Sequence, residues 1–248
     1  MKYILASIRF AAFVLASFAI YGLWWAGSWV VPNKQIWRQA AFHWWSRSFA
    51  MIAGMEIEIV GTPPKPPFFL VCNHLSYVDV PALRLAANGI FVAKREVSDW
   101  FLAGKMIVNM GNIFIDRKNR RDIPRAGAEV IRKLNEQEGV ILFPEGTSTK
   151  GETILPFNSA FLEFAASTDL PVSYAALRYA TPEGGPTPSE RVCWWDDTGF
   201  LKHIWRLFSL PSFKAIITFG EEPVTDTDRK RLTAKLREHI EEVFIPML

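Results

Sequence analysis

The stretch Phe68-Phe-Leu-Val-Cys72-Asn-His74-Leu-Ser-Tyr-Val-Asp79 joins an uninterrupted apolar run to a histidine and an aspartate five positions apart. Phe68–Cys72 is short and apolar throughout, as expected of a strand buried on both faces. Asp79–Ala87 has a helical pattern and opens on an acidic residue, which suits a helix N-terminus. On one continuous helix, side chains five apart point roughly 140° away from each other. His74 and Asp79 therefore meet only if His74 lies on a strand-to-helix loop and Asp79 in the first helical turn. Asn73 or Ser76 is placed to cap that helix or tie its loop.

Similar runs recur along the chain. Glu56–Val60, Ile90–Ala93, Ile113–Ile115, Val140–Phe143, Val172–Leu177 and Ala215–Phe219 read as strands. Helical patterns fall between them at Arg125–Asn135 and Asn158–Ser167. A last helix is expected from near Thr225, with Asp228 in a capping-box-like pair and an apolar stripe of Leu232, Leu236, Ile240 and Val243. This alternation predicts an α/β fold: a mixed or largely parallel sheet flanked by helices.

At 248 residues the chain accommodates one such domain and an accessory segment. The first 55 residues supply that segment. They carry Lys2, Arg9, Lys34, Arg38 and Arg47, no Asp or Glu, and six of the ten tryptophans. Trp suits the boundary between water and hydrocarbon, and positive charge suits anionic headgroups. The pattern indicates a membrane partner with an anionic surface, and not nucleic acid.

Phe10 to Asn33 lacks any charged side chain, a length exceeding the ~20 residues that cross a bilayer as a helix. The run is long for a cleaved signal peptide, and bulky Trp crowds its end. From Gln35 to Ile52 polar and apolar residues segregate to two helical faces, which fits either an interfacial helix or one packed on the domain. The expected organisation is 1–53 as membrane-associated N-terminal helices and 54–248 as the α/β domain. A basic flank after the apolar helix favours a cytoplasmic position for that domain. A true span and a pair of helices entering and leaving one leaflet fit equally. Cys72 and Cys193 match no metal or redox spacing and read as core residues in a reducing compartment.

The chemistry-bearing candidates lie at the ends of the expected strands. An imidazole at position 74 can take a proton from an alcohol, aided by a carboxylate on its other nitrogen. In isolation the spacing favours a plain structural histidine. Phe143-Pro-Glu145-Gly146-Thr147 ends another strand in a turn. Amides of Gly146 and Thr147 suit a phosphate or an oxyanion, and Glu145 suits a polyol or a basic side chain. A turn with a surface glutamate has the same look. Between the two, Gly111-Asn-Ile-Phe-Ile-Asp116-Arg117 leads into an arginine suited to bidentate phosphate recognition. Lys94, past the Ile90–Ala93 strand, offers a second phosphate contact. Lys118 to Arg125 reads as a solvated charged loop.

NHLSYVD, GNIFIDR and FPEGT, in that order with Lys94 between the first two, resemble the motifs of the glycerolipid acyltransferases of the 1-acylglycerol-3-phosphate type. The likeness runs from about Glu56 to Leu177, and the N-terminal helices look like that family's membrane-embedded element. It implies a catalytic His74 deprotonating the sn-2 hydroxyl of a lysophospholipid acceptor, with Asp79 orienting it. The acyl donor would be acyl-ACP or acyl-CoA, the product phosphatidic acid, and no metal or cofactor would be needed. Arg117, Glu145, Gly146 and Thr147 would bind the acceptor, assisted by Lys94. The setting implied is phospholipid biosynthesis at a bacterial inner membrane, on its cytoplasmic side.

Two departures bear on the acceptor. Pro156-Phe-Asn-Ser-Ala-Phe161 lacks a lysine that many relatives carry, and Pro171-Val-Ser-Tyr174 keeps one of two frequent prolines. Another acceptor, such as lyso-ornithine lipid, therefore stays open. A non-catalytic lipid- or carrier-binding membrane module is the remaining alternative, and intact His74, Asp79, Arg117 and Glu145 argue against it.

Overall fold

A computed structural model describes residues 2–101, 103–116, 119 and 121–247. Its strands are β1 (Met55–Val60), β2 (Phe68–Cys72), β3 (Gly89–Lys94), β4 (Ile113–Ile115), β5 (Gly139–Leu142), β6 (Val172–Ala180) and β7 (Phe213–Phe219). Its α-helices are α1 (Lys2–Gly27), α2 (Lys34–Ala53), α3 (Asp79–Ala87), α4 (Ala103–Asn109), α5 (Asp122–Asn135), α6 (Glu163–Ser167), α7 (Pro188–Arg191), α8 (Phe200–Phe208) and α9 (Arg229–Val243).

The seven strands form one sheet in the order β1-β7-β6-β2-β5-β3-β4. Pairing is parallel throughout β6-β2-β5-β3-β4 and between β1 and β7, and antiparallel only where β6 meets β7. The sheet is mixed and mostly parallel, as the alternation predicted. All five residues of β2 are buried, because this central strand is covered on both faces. Phe68, Leu70 and Cys72 join a core shared with α1, α2, α3 and α8. Phe69 and Val71 join a second core, shared with α5, α6 and α9. Each fully buried aliphatic or aromatic side chain contributes about 1.5–3 kcal/mol. With β2 fixed from both sides, the residue two positions past its end has little freedom.

Three expectations need correction. Asn158–Ser167 is not one helix: a 3-10 turn over Ser159–Leu162 precedes the five-residue α6. The Asn158 side chain accepts from the Ala160 amide and starts that tighter turn. The last helix begins at Arg229, not near Thr225. Asp228 is its N-cap, accepting from the Lys230 and Arg231 amides. Strand β6 runs on to Ala180, three residues past the predicted end, with consequences for the site below.

Most of the polar face of α2 turns toward the domain, with Arg47 left exposed. Arg38 donates to Glu138 at 2.6 Å and to the Met110 carbonyl at 2.7 Å, and Gln35 donates to the Glu136 carbonyl at 2.7 Å. The exposed side carries Ile36, Trp44 and Met51. Helix α1 presents Ile4, Ile8, Leu15, Phe18, Leu23 and Trp25 to the outside. It is long and apolar enough to cross a membrane, yet it is fastened to the domain along its length. Arg9 donates to the carbonyls of Leu210 and Pro211 beyond α8. Trp45 donates to Ser17 and Trp37 to the Trp24 carbonyl, and Asn109 donates to the Tyr21 hydroxyl. Gly54, in the left-handed region at φ 71°, ends α2, and its amide caps the Ala50 and Met51 carbonyls.

Candidate active site

Strands β2, β3, β4 and β5 run parallel, so their C-terminal ends share one edge of the sheet, where open α/β sheets bind ligands. Asn73 and His74 follow β2, Phe143 to Thr147 follow β5, and Lys94 ends β3 beside Ile115 of β4. Lys94 is exposed there. Arg117 lies outside the described residues.

His74 sits on the loop between β2 and α3, and Asp79 is the first residue of α3, the layout that lets the pair meet. His74 Nδ1 lies 2.7 Å from Asp79 Oδ2. That oxygen also accepts from the amides of Leu75 at 2.7 Å and Ser76 at 3.0 Å. Asp79 Oδ1 accepts from the Tyr179 hydroxyl at 2.7 Å. A carboxylate gathering three donors is an acceptor toward the fourth, so Nδ1 carries the ring proton and Nε2 the lone pair. Nε2 has no hydrogen-bond partner among the described residues. The His74 side chain keeps 23% of its surface exposed while Asp79 has none. The ring lies flat on Phe143, with centroids 4.2 Å apart and planes at 13°. Its orientation is thus set by one hydrogen bond and one stacking contact.

The backbone of His74 is held from both sides. Glu145 Oε1 accepts the His74 amide at 2.7 Å, and the Thr149 amide donates to the His74 carbonyl at 2.9 Å. The other oxygen of Glu145 accepts from the Leu155 amide at 2.9 Å. Burial pushes the Glu145 carboxyl up to about 7 against the pull of the Leu155 and His74 amides. Two details therefore differ from the sequence reading. Glu145 is no surface residue: both its oxygens serve backbone amides, one of which belongs to the candidate base. The Gly146 amide is not spare for an anion, because it closes the turn onto the Phe143 carbonyl at 3.2 Å. Gly146 does adopt the anticipated positive φ, 77°. Thr147 is exposed at the rim, with no hydrogen bond to its amide among the described residues.

Asn73 ties the loop, as one reading held. Its side chain donates to the Leu177 carbonyl at 2.9 Å and accepts from the Leu177 amide at 2.7 Å, extending the β2–β6 ladder by a side chain. Ser76 does not act as a cap through its side chain; its buried hydroxyl has no partner among the described residues. Arg125 lies in the first turn of α5 and not in a loop, paired along that helix with Asp122 and Glu129.

Sequence reading missed two residues. Tyr179 is 1% exposed and lies on the part of β6 beyond the predicted strand; continuing the strand to Ala180 would have brought it to the end of β2. His203, on α8, donates from Nε2 to the Cys193 carbonyl at 2.8 Å. Its Nδ1 therefore accepts from the Tyr77 hydroxyl at 3.0 Å. Burial lowers the His203 pKa, consistent with a neutral ring that braces the loop carrying His74 through Tyr77. No local motif marks it. The segment after it in space also docks on the loop: the Trp194 amide donates to the Leu75 carbonyl at 2.8 Å, and Ser148 bonds to the Trp194 carbonyl.

Known acyltransferases resemble this chain in sequence and in fold. A family model described as Acyltransferase matches residues 56–176. The chain is 31% identical over 199 residues to the 1-acyl-sn-glycerol-3-phosphate acyltransferase of Neisseria meningitidis serogroup B, covering 78% of this chain and 77% of that one. It is 29% identical over 170 residues to the lyso-ornithine lipid O-acyltransferase of Pseudomonas aeruginosa, covering 68% and 64%. The fold matches the crystal structure of the 1-acyl-sn-glycerophosphate acyltransferase from Thermotoga maritima with a TM-score of 0.68, over 98% of both chains at 21% identity.

Proposed function

This chain belongs to the acyltransferase family that includes the 1-acyl-sn-glycerol-3-phosphate acyltransferases, and from that premise we propose that it acylates the sn-2 hydroxyl of 1-acyl-glycerol-3-phosphate. The product is phosphatidic acid. The observation that carries the reading is His74 Nε2, unpartnered and held in the basic tautomer by Asp79.

His74 Nε2 takes the acceptor's hydroxyl proton as that oxygen bonds to the thioester carbonyl carbon. The tetrahedral intermediate collapses with cleavage of the carbon–sulfur bond. The proton held on His74 passes to the departing thiolate, which leaves the ring neutral again. Asp79 stabilises the imidazolium in between. A thioester is already activated, so one base and good positioning lower much of the barrier. Arg117, Lys94 and the Thr147 amide are assigned to the acceptor's phosphate. Glu145 and Gly146 contribute by fixing the loop on which His74 rides.

The apolar outer faces of α1 and α2 suit a bilayer. Because α1 is bonded to the domain from Arg9 to Trp24, both helices lie against one leaflet instead of α1 departing as a span. The first 53 residues then act as a monotopic anchor on the cytoplasmic side of the inner membrane. There the domain meets acyl-ACP or acyl-CoA from the water side and the lysolipid from the membrane side.

The test supplies purified protein with labelled acyl thioester and a panel of lysolipids, lyso-ornithine lipid among them. Transfer to lysophosphatidic acid is expected to exceed the others, and His74→Ala is expected to lose about 10²–10⁴-fold in kcat. Full activity in that variant removes the base assignment. A preference for lyso-ornithine lipid, consistent with the missing lysine in Pro156–Phe161, replaces the acceptor and leaves the chemistry standing.

A further inference from the structure

A surface cleft of about 530 Å³ is lined by Tyr3, Arg191, Leu201, Lys202, Trp205 and Arg206, none of which belongs to the candidate active site. Three of the six are cations and none is an acid. Their charged ends form no hydrogen bond or ion pair among the described residues. Several other basic side chains are engaged: Arg38 with Glu138, Arg229 with Glu163, Lys214 with Glu58 and Lys235 with Asp226. Asp196, the acid whose charge senses Arg206, spends its oxygens on the Thr198 amide at 3.1 Å and hydroxyl at 2.9 Å.

The cleft is joined to the apolar face of α1. Trp205 packs on Phe10 with centroids 5.9 Å apart, and Tyr3 and Leu201 flank the cations, each 66% exposed. From Tyr3 the exposed apolar row continues through Ile4, Ile8 and Leu15. A concave group of cations without an ion-pair partner among the described residues, at one end of an apolar surface, matches an amphiphile with an anionic head.

We propose that Arg191, Lys202 and Arg206 form a binding site for the phosphate headgroup of an anionic membrane lipid, whose acyl chains run along the outer face of α1. The site is separate from the acceptor site at His74. It sets the tilt of the domain on the membrane and enriches the protein on anionic bilayers. It rests on the reading of α1 as a bilayer-facing helix, and binding to neutral vesicles reports on that reading separately.

The test is flotation of the full-length protein with vesicles of phosphatidylcholine alone and of phosphatidylcholine mixed with phosphatidylglycerol, at low and at high salt. A basic side chain close to an anionic surface contributes roughly fivefold in binding. The wild type is expected to prefer the anionic vesicles. The triple variant Arg191→Gln, Lys202→Gln, Arg206→Gln is expected to lose about tenfold or more of that preference and to keep its binding to neutral vesicles. A charge-matched control, Lys214→Gln, Arg229→Gln, Lys235→Gln, is expected to keep both.

The proposal fails if the triple variant retains the preference, or if the control loses it to the same extent. A retained preference together with a raised KM for a thioester on an acidic carrier protein would make the cleft a protein-docking face instead. Loss of neutral-vesicle binding by the wild type would overturn the anchor itself.

Discussion

Glu145 grips the backbone of His74: its carboxylate accepts the His74 amide at 2.7 Å and, through its second oxygen, the Leu155 amide. The turn after β5 therefore holds the loop after β2, across the one strand boundary that separates them in the sheet. Two motifs about seventy residues apart are one mechanical unit, and the link runs through a buried carboxyl and not through a substrate.

That link titrates. Burial raises the Glu145 carboxyl from 4.5 to about 7. A raised acid favours folding below its unfolded pKa, and this contribution is lost as pH rises through the folded value. Between about pH 4.5 and 7 stability therefore falls, because the unfolded chain ionises Glu145 while the folded chain keeps it protonated; the fully ionised two-amide clamp forms only as pH passes about 7. Glu145→Gln is expected to flatten the stability change over that window, measured by thermal unfolding. Its amide group presents one acceptor and one donor where two acceptors are needed, so kcat is expected to fall about tenfold or more with KM for thioester little changed. An unaltered kcat removes the clamp from the mechanism.

Asp79 is the hub of the site, with four groups on its two oxygens. Asp79→Asn is expected to reduce kcat by about 10²–10⁴-fold by disturbing the tautomer of His74. Because it turns a buried NH2 donor toward existing donors, it is also expected to cost about 1–3 kcal/mol in unfolding free energy. Wild-type kcat in a stably folded variant would dismiss Asp79 as the orienting group.

Tyr179→Phe isolates the contact no motif announced. It deletes a buried hydroxyl and leaves Asp79 Oδ1 without its donor. The expected stability loss is about 1–3 kcal/mol. If Tyr179 fixes the Asp79 rotamer, kcat is expected to fall several-fold at unchanged KM. A loss of stability with unchanged kcat would make it structural only.

What was legible in the chain follows the reach of each interaction. His74 and Asp79 are five residues apart across a strand–helix junction, so local periodicity sufficed to place them together. Tyr179 reaches Asp79 over a hundred residues, through the β2–β6 pairing, and strand order is not written in any local pattern. Glu145 was visible, but a Pro-Glu-Gly turn looks the same whether its carboxylate faces water or a neighbouring amide. Helix α2 shows the same ambiguity. Segregation of its faces was plain in the sequence, whereas the face that meets protein depends on Glu138, a residue a hundred positions away.

Glu138 is buried, with its side chain 1% exposed, between Arg38 at 2.6 Å and Lys133 at 3.1 Å. Desolvation raises its pKa, and the hydrogen bonds and charges of Arg38 and Lys133 outweigh that, holding the carboxyl below the usual range. Glu138→Ala leaves the partly buried Arg38 without its carboxylate, while Lys133 keeps Glu136, and is expected to cost about 3–5 kcal/mol. The wild-type carboxyl contributes stability above its unfolded pKa that is lost as pH falls through the lower folded value. The variant is therefore expected to be less sensitive to acid unfolding over that range. A small stability change would place α2 on the domain through its apolar contacts alone.

Arg9 tests how the apolar N-terminal helix is held. It lies in a helix that otherwise looks outward with apolar side chains, and positive charge there reads from sequence as a membrane-surface feature. Its guanidinium instead donates to the carbonyl of Phe208, an orphan acceptor at the end of α8, and to those of Leu210 and Pro211 just beyond it. Cations at a helix C-terminus are stabilised by the aligned peptide dipoles, and hydrogen bonds to charged groups contribute about 1.5–3 kcal/mol each at best. Arg9→Leu keeps the apolar character of α1 and removes the latch. Amide hydrogen exchange is expected to rise in 204–212 and along the first turns of α1, while binding to neutral vesicles persists. Exchange confined to α1, with 204–212 unchanged, would show that the apolar contacts of Phe10 and Phe13 secure the helix without the arginine.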